Sequence, residues 1–282
     1  MIRSEENGCS LPVSLARSAA ALHYLQNLNS IDGWLDPTTA LAIIELLWLQ
    51  EGHQVPGNLA EIGVYRGKSF LALAAGSRPE ETLFAIDPFD AITTDAAAAA
   101  IDNAYGTGNR ELFEANLRAF FPMARVDLIA RSSAELRGNE AEFGLAGLRF
   151  LSIDGGHTRA LTFNDLQIAD ACLAEGGTAC LDDVLNAEWT GVLSGLFDFL
   201  RTQPGLVPFA LLPNKLFLCR PSWQARYRSG LRSLFSHALL REGTEFGDGT
   251  IDVFGDGWSR ISGTFAGILS RVTAEGGGLG RS

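Results

Sequence analysis

LAEIGVYRGKSFLALAAG, residues 59–76, decides the fold. A short apolar run breaks at Gly63 and Gly67 and passes into an Ala/Leu-rich stretch, which reads as strand, turn and helix. Glycines at these positions let backbone approach a ligand closely, and the amides that open the next helix can meet a carboxylate or phosphate. Gly67-Lys68-Ser69 ends like a phosphate-binding loop. Three residues rather than four separate Gly63 from Gly67, however, and the shorter loop loses an amide of the phosphate cradle, so a nucleotide triphosphatase is set aside.

Upstream, Asp36-Pro37 supplies an N-cap and a proline for the first turn of a helix that stops at Gly52. Downstream, apolar runs recur at residues 82–87, 125–130, 148–154, 177–183, 208–213 and 215–220, with helical patterns between most of them. This alternation predicts a doubly wound, Rossmann-like α/β fold with helices on both faces of a mostly parallel seven-stranded sheet. The last two runs are separated only by Asn214, so they pair as a hairpin and the final strand runs antiparallel. The expected organisation is an N-terminal helical extension (1–35), a catalytic domain (36–220) with a lid-like insertion at about 92–123, and a C-terminal extension (221–282) with a glycine-rich tail. Within that extension Tyr227, Leu231, Leu234, Phe235, Ala238 and Leu239 fall at helical spacing, ahead of a short strand signal at TIDVFG.

Composition narrows the function. A formal net charge of −11 works against a polyanionic partner, which disfavours nucleic acid. The four cysteines, Cys9, Cys172, Cys180 and Cys219, form no CxxC pair or ligand spacing and read as reduced thiols, which suits the cytoplasm. Neither a signal segment nor a bilayer-length apolar run is expected, and base rates for soluble enzymes favour a homo-oligomer.

The chemistry should lie at the carboxyl ends of the strands, where open α/β sheets bind ligands. Glu61 to Ser69 forms the first such loop. Asp87 closes the second strand about 25 residues beyond the first turn, where an acid can grip ribose hydroxyls or, equally, cap the turn before Pro88; its pairing with Glu61 and Gly63 favours ribose. Ser132 and Ser133 follow the third strand and suit a helix cap better than any other single role. Asp154-Gly155-Gly156-His157 and Asp182-Asp183 close adjacent strands. Three converging carboxylates would raise one another's pKa unless a hard divalent cation such as Mg²⁺ neutralised them, and this is favoured over one Asp capping a helix and the other being solvated. His157 is placed to act as general base. Residues 199–241 hold Arg201, Lys215, Arg220, Arg226, Arg228, Arg232 and Arg241 without an acid, a basic surface read as a solvated face or subunit contact rather than an anion or membrane site.

Together, AEIGVYRGKSFLALA, LFAIDPFD, LSIDGGHTRALTFNDLQIA and GGTACLDDV resemble the class I S-adenosylmethionine-dependent methyltransferases, and more narrowly the macrocin-type sugar O-methyltransferases. The likeness covers residues 36–220 and leaves out the N-terminal 35 residues, the alanine-rich 96–100 segment and everything past Pro221. It implies that Glu61, Gly63 and Gly67 surround the methionine end of the cofactor, that Asp87 holds its ribose, that Ser132 and Ser133 lie near its adenine, and that Tyr65, Ser69 and Asp154 also bind it. It also implies that Asp154, Asp182 and Asp183 bind Mg²⁺ and that His157, with Asp154, serves catalysis. The function expected is O-methylation of a small hydroxylated metabolite or sugar. The alternatives are a metal-free methyltransferase using His157 toward a phenol or carboxylate, and a non-catalytic cofactor-binding scaffold or sensor.

Overall fold

The computed structural model of the chain describes residues 15–89 and 108–256. Cys9, the alanine-rich segment, the first part of the expected lid and the glycine-rich tail lie outside them. Helices α1 (Leu15–Gln26) and α2 (Pro37–Gly52) precede the sheet. Asp36 caps α2 as expected, its side chain accepting from the amides of Thr38 and Thr39 at 2.8 and 3.2 Å. The alternating core follows as β1 (Leu59–Ile62), α3 (Phe70–Gly76), β2 (Thr82–Ile86), α4 (Asn109–Phe120), β3 (Arg125–Ile129), β4 (Leu148–Ile153), α5 (Arg159–Cys172), β5 (Leu173–Leu181) and α6 (Thr190–Arg201). The chain then runs through β6 (Val207–Leu212), β7 (Lys215–Cys219), α7 (Pro221–Leu234), β8 (Leu239–Phe246) and β9 (Gly249–Phe254).

The expected seven strands are present in the order β3-β2-β1-β4-β5-β7-β6, with β7 reversed, but the sheet has nine: β9 and β8 continue it beyond β6. β9 pairs parallel with β6, and β8 antiparallel with β9. The correction has a local cause. Helical spacing from Tyr227 onward carried the expected helix to Leu239, whereas α7 ends at Leu234 and the charged run LLREGTEF is an edge strand with no buried residue, and so no buried alternation to betray it.

Central strands are buried on both sides, so successive residues enter different layers. Leu59, Leu83, Phe150, Cys180 and Phe217 join the core beneath α1, α2, α3 and α7, while Ala60, Ile62, Leu151 and Leu181 join the one beneath α5 and α6. The same period of two sends Glu61, Ser152, Asp182 and Lys215 toward the α2 and α3 side. Strand order reverses between β1 and β4, and the crevice at their carboxyl ends is where such sheets take ligands.

Candidate active site

Four loops meet at that crevice. Gly63 and Gly67 both have positive φ, 83° and 87°. Protein packing imposes them as much as any ligand would: a Cβ on Gly63 would come within 1.9 Å of the Asp154 carbonyl oxygen, and one on Gly67 within 2.7 Å of Phe113 on α4. The loop is also held from outside. Tyr24 donates to the carbonyl of Lys68 at 2.7 Å, Asn116 of α4 to that of Arg66 at 2.9 Å, and Lys68 itself turns away to donate to the Gly33 carbonyl at 3.0 Å. Tyr65, at φ 51°, stacks on Trp34.

Asp87 joins the first two loops. Its Oδ2 accepts from the amides of Val64 and Tyr65, both at 2.8 Å, and its Oδ1 from Phe89 at 2.5 Å. The carboxylate therefore organises the glycine loop. Ser132 is the cap that its sequence favours, accepting from the Ala134 amide at 3.4 Å in a capping box with Glu135. Ser133 is buried beside α5, its carbonyl accepting from Asn164 at 3.3 Å. Ser69 is buried at the opening of α3.

Glu61 lies fully buried, as its place in the strand alternation dictates. Ser152 donates to its Oε1 at 2.9 Å, while Oε2 makes no hydrogen bond. Burial lifts its carboxyl to about 7, against the nearby Lys215 ammonium and the hydroxyls of Ser69 and Ser152.

His157 and Asp183 form a dyad. Nε2 of His157 lies 2.8 Å from Asp183 Oδ2, the imidazole stacks on Trp189 at 4.4 Å between ring centres, and Nδ1 is buried without a hydrogen bond. Asn186 and Asn214 donate to Asp183 Oδ1 at 2.9 and 2.7 Å. Burial would raise the Asp183 carboxyl, but hydrogen bonds from His157, Asn186 and Asn214 outweigh it and hold the group down at about 2. An ionised acceptor at Oδ2 fixes the Nε2–H tautomer and leaves the lone pair on Nδ1.

Asp154 and Asp182 meet a partner that linear charge counting assigned to the surface. Lys215 is 2% exposed; its ammonium is in contact with Asp182 Oδ2 and lies 3.4 Å from Asp154 Oδ2. Burial alone would strip its proton, yet Asp154 and Asp182 override that and hold the ammonium well above its ordinary value. One cation faces two carboxyl groups, buried Asp182 and half-buried Asp154, and Asp182 is pushed up to about 8 by burial first and by Asp154 next. The remaining basic stretch is divided: Arg220 pairs with Asp170, and Arg228 and Arg232 with buried Asp252, while Arg201, paired with Asp198, and Arg226 and Arg241 are exposed, as a solvated face requires.

The Mg²⁺ set expected from sequence, Asp154 with Asp182 and Asp183, does not fit this arrangement. An ammonium already sits against two of the three, and every oxygen of Asp182 and Asp183 accepts from a protein donor, the Asp183 amide and Asn214 completing Asp182. Among the described residues the ligating atoms that do converge, within 4.8 Å of one another, belong to Asp154, His157 and Asp183. That group substitutes an imidazole for a carboxylate, against the preference of Mg²⁺ for oxygen.

A small recess opens between the β4 and β5 loops and α5, lined by residues including Asp154, Gly155, Gly156, His157, Asp165 and Asp182. Asp165 was passed over in the sequence because it falls mid-helix. It is fully buried, its Oδ2 makes no hydrogen bond, and burial raises its carboxyl to about 6. Unpartnered buried polar atoms on Glu61, His157 and Asp165 are what a site completed by a polar ligand leaves behind.

A glycine loop, an acid closing β2 and a carboxylate–imidazole cluster closing β4 and β5 thus meet at the switch point of a doubly wound sheet, where such sheets take ligands. Residues 60–184 match the family described as a methyltransferase domain. No curated protein sequence matches the chain. Among solved structures, the O-methyltransferase NovP superposes with a TM-score of 0.54 at 17% identity, over 64% of this chain and 78% of that one. CalS11, a calicheamicin methyltransferase, superposes with a TM-score of 0.50 at 16% identity, over 78% of this chain and 98% of that one. Both likenesses speak for the fold. No helix among the described residues is long and apolar enough to cross a membrane.

Proposed function

We propose that this enzyme methylates a hydroxyl oxygen of a small polyhydroxylated acceptor, a sugar or glycosylated metabolite. The His157–Asp183 dyad carries this reading: a tautomer-fixed imidazole with its Nδ1 lone pair uncommitted, beside Asp154 at the β4 switch point. The acceptor class follows the resemblance of the DGGH and LDD segments to sugar O-methyltransferases.

Bound S-adenosylmethionine supplies an electrophilic sulfonium methyl. Ser69, Glu61 and the loop from Gly63 to Gly67 would face its methionine end, Asp87 its ribose, and Ser133 its adenine. The chain's own work is then orientation and proton transfer. His157 Nδ1 takes the acceptor's hydroxyl proton as the oxygen attacks, and Asp183 balances the imidazolium that forms. Asp154, at the edge of the recess, accepts from a neighbouring acceptor hydroxyl and fixes which oxygen is presented. No covalent enzyme intermediate is required.

Calorimetric titration with S-adenosylhomocysteine, followed by a screen of hydroxylated acceptors, tests this reading. The folded protein should bind saturably, and His157→Gln should lower turnover by roughly 10²–10⁴-fold while leaving that affinity within about threefold. Absence of binding by the folded wild type would sink it.

A further inference from the structure

We propose that the Lys215 ammonium stands in the place of the divalent cation expected at these strand ends, holding Asp154 and Asp182 together so that the site is organised without a metal. The inference rests on the methyltransferase reading for its purpose, though not for its geometry.

Topology puts the lysine there. β7 is antiparallel to β5, so the first residue of β7 lies beside the last of β5: Leu216 pairs with Leu181, which sets Lys215 against Asp182. The β6–β7 turn is tight, with Asn214 in the left-handed region at φ 61°, and the Asn214 amide reaches Asp183 at 2.7 Å and Asp182 at 3.3 Å. One hairpin thus presents an ammonium and an amide to three acids. Had β7 run parallel, its first residue would lie at the far end of the sheet. The side chain is 2% exposed and contacts Asp154 and Asp182, so its charge is answered entirely within the site. Two carboxylates facing each other need a positive partner, and a built-in ammonium meets that need. Both ion-pair contacts of the Lys215 ammonium go to these acids. Lys215 is a positioning residue that sets Asp154.

A merely structural lysine and a cation surrogate differ in what removing the charge creates. Wild type, Lys215→Met and Lys215→Arg would each be titrated with Mn²⁺ and followed by electron paramagnetic resonance. S-adenosylhomocysteine would be titrated into the same samples as a separate measure of the methyltransferase reading. Wild type and Lys215→Arg should show no saturable Mn²⁺ site, while Lys215→Met should gain one, tighter by on the order of a hundredfold, as loss of a unit charge a few ångströms away allows. A saturable one-to-one Mn²⁺ site in the wild type would overturn the proposal, and that result needs no variant to fold. So would a folded Lys215→Met that binds no more Mn²⁺ than wild type. Failure to bind S-adenosylhomocysteine would count against the methyltransferase reading alone.

Discussion

β4 carries a buried charge cluster at each end, and the two are built differently. Near its amino end, Arg149 is wholly buried; it donates to both Glu81 oxygens at 2.5 and 2.7 Å, to the Leu47 carbonyl and Gln50 at 3.0 Å each, and to the Gly76 carbonyl at 3.4 Å. No polar side-chain atom of Arg149, Glu81 or Gln50 is left unpaired. Just past the carboxyl end, around Asp154, the site keeps unpartnered atoms on Glu61 and His157 and holds two acids on one lysine. A closed network ties α2, α3 and β4 into one body, whereas an open one has capacity for something the chain does not contain. Charge burial alone does not mark a functional site.

The contrast breaks if the closed end matters to ligands or the open end does not. Arg149→Met is the severest test, because it strands Glu81 in the interior with Arg78 as its remaining ionic partner. A loss of roughly 3–5 kcal/mol is expected, a fall in Tm on the order of 10 °C, read by thermal and denaturant unfolding. Affinity for S-adenosylhomocysteine, measured on the fraction still folded, should not move. A selective loss of that affinity would show that the two ends are not separable.

Glu61→Gln sharpens the comparison from the other side. Folding holds this carboxyl at about 7, above its ordinary 4.5. Below about pH 4.5 both folded and unfolded chains are protonated, so wild type and variant should be equally stable. Between about 4.5 and 7 the unfolded chain releases a proton that the folded chain retains, so wild-type stability falls relative to the variant as pH rises. Above about 7 the gap should level near about 3 kcal/mol, the free energy corresponding to that separation. Denaturant unfolding of the ligand-free protein at intervals from pH 4 to 8.5 would trace it. Equal stabilities at pH 8 would mean that the carboxylate ionises in place with adequate partners, and that the open end is less open than its geometry.

Several parts of this were legible in the sequence because they depend on near neighbours. The glycine turn, the Asp36 cap and the hairpin at Asn214 are local chemistry, and Asp87, Asp154 and Asp182-Asp183 announce themselves as acids closing apolar runs. Lys215 was missed because a linear charge count placed it with its basic neighbours. Its position follows from the antiparallel pairing of β7 with β5, and applying the alternation of residues across that pair would have brought it opposite Asp182. Asp165 was hidden because nothing in its helix distinguishes a buried acid from a solvated one. β8 was hidden because an exposed edge strand has no apolar face to alternate.

The remaining charges of the C-terminal segment test a third arrangement, closed but redundant. Asp252 on β9 is fully buried and accepts from Arg228 at 3.1 and 2.6 Å, from Arg232 at 2.6 and 2.8 Å and from the Gly243 amide at 3.1 Å, which together hold its carboxyl well below the usual range. These contacts pin α7 to the outer strands. Because Arg232 remains to face the carboxylate, Arg228→Gln should cost less than Arg149→Met, about 1–2 kcal/mol, or a few degrees in Tm. Turnover, cofactor affinity and subunit association should stay as in wild type. An unchanged Tm with altered association or liposome binding would instead return Arg228 to the surface role that its neighbours in the chain suggest, and would show that a doubly served buried acid can spare one partner without structural cost.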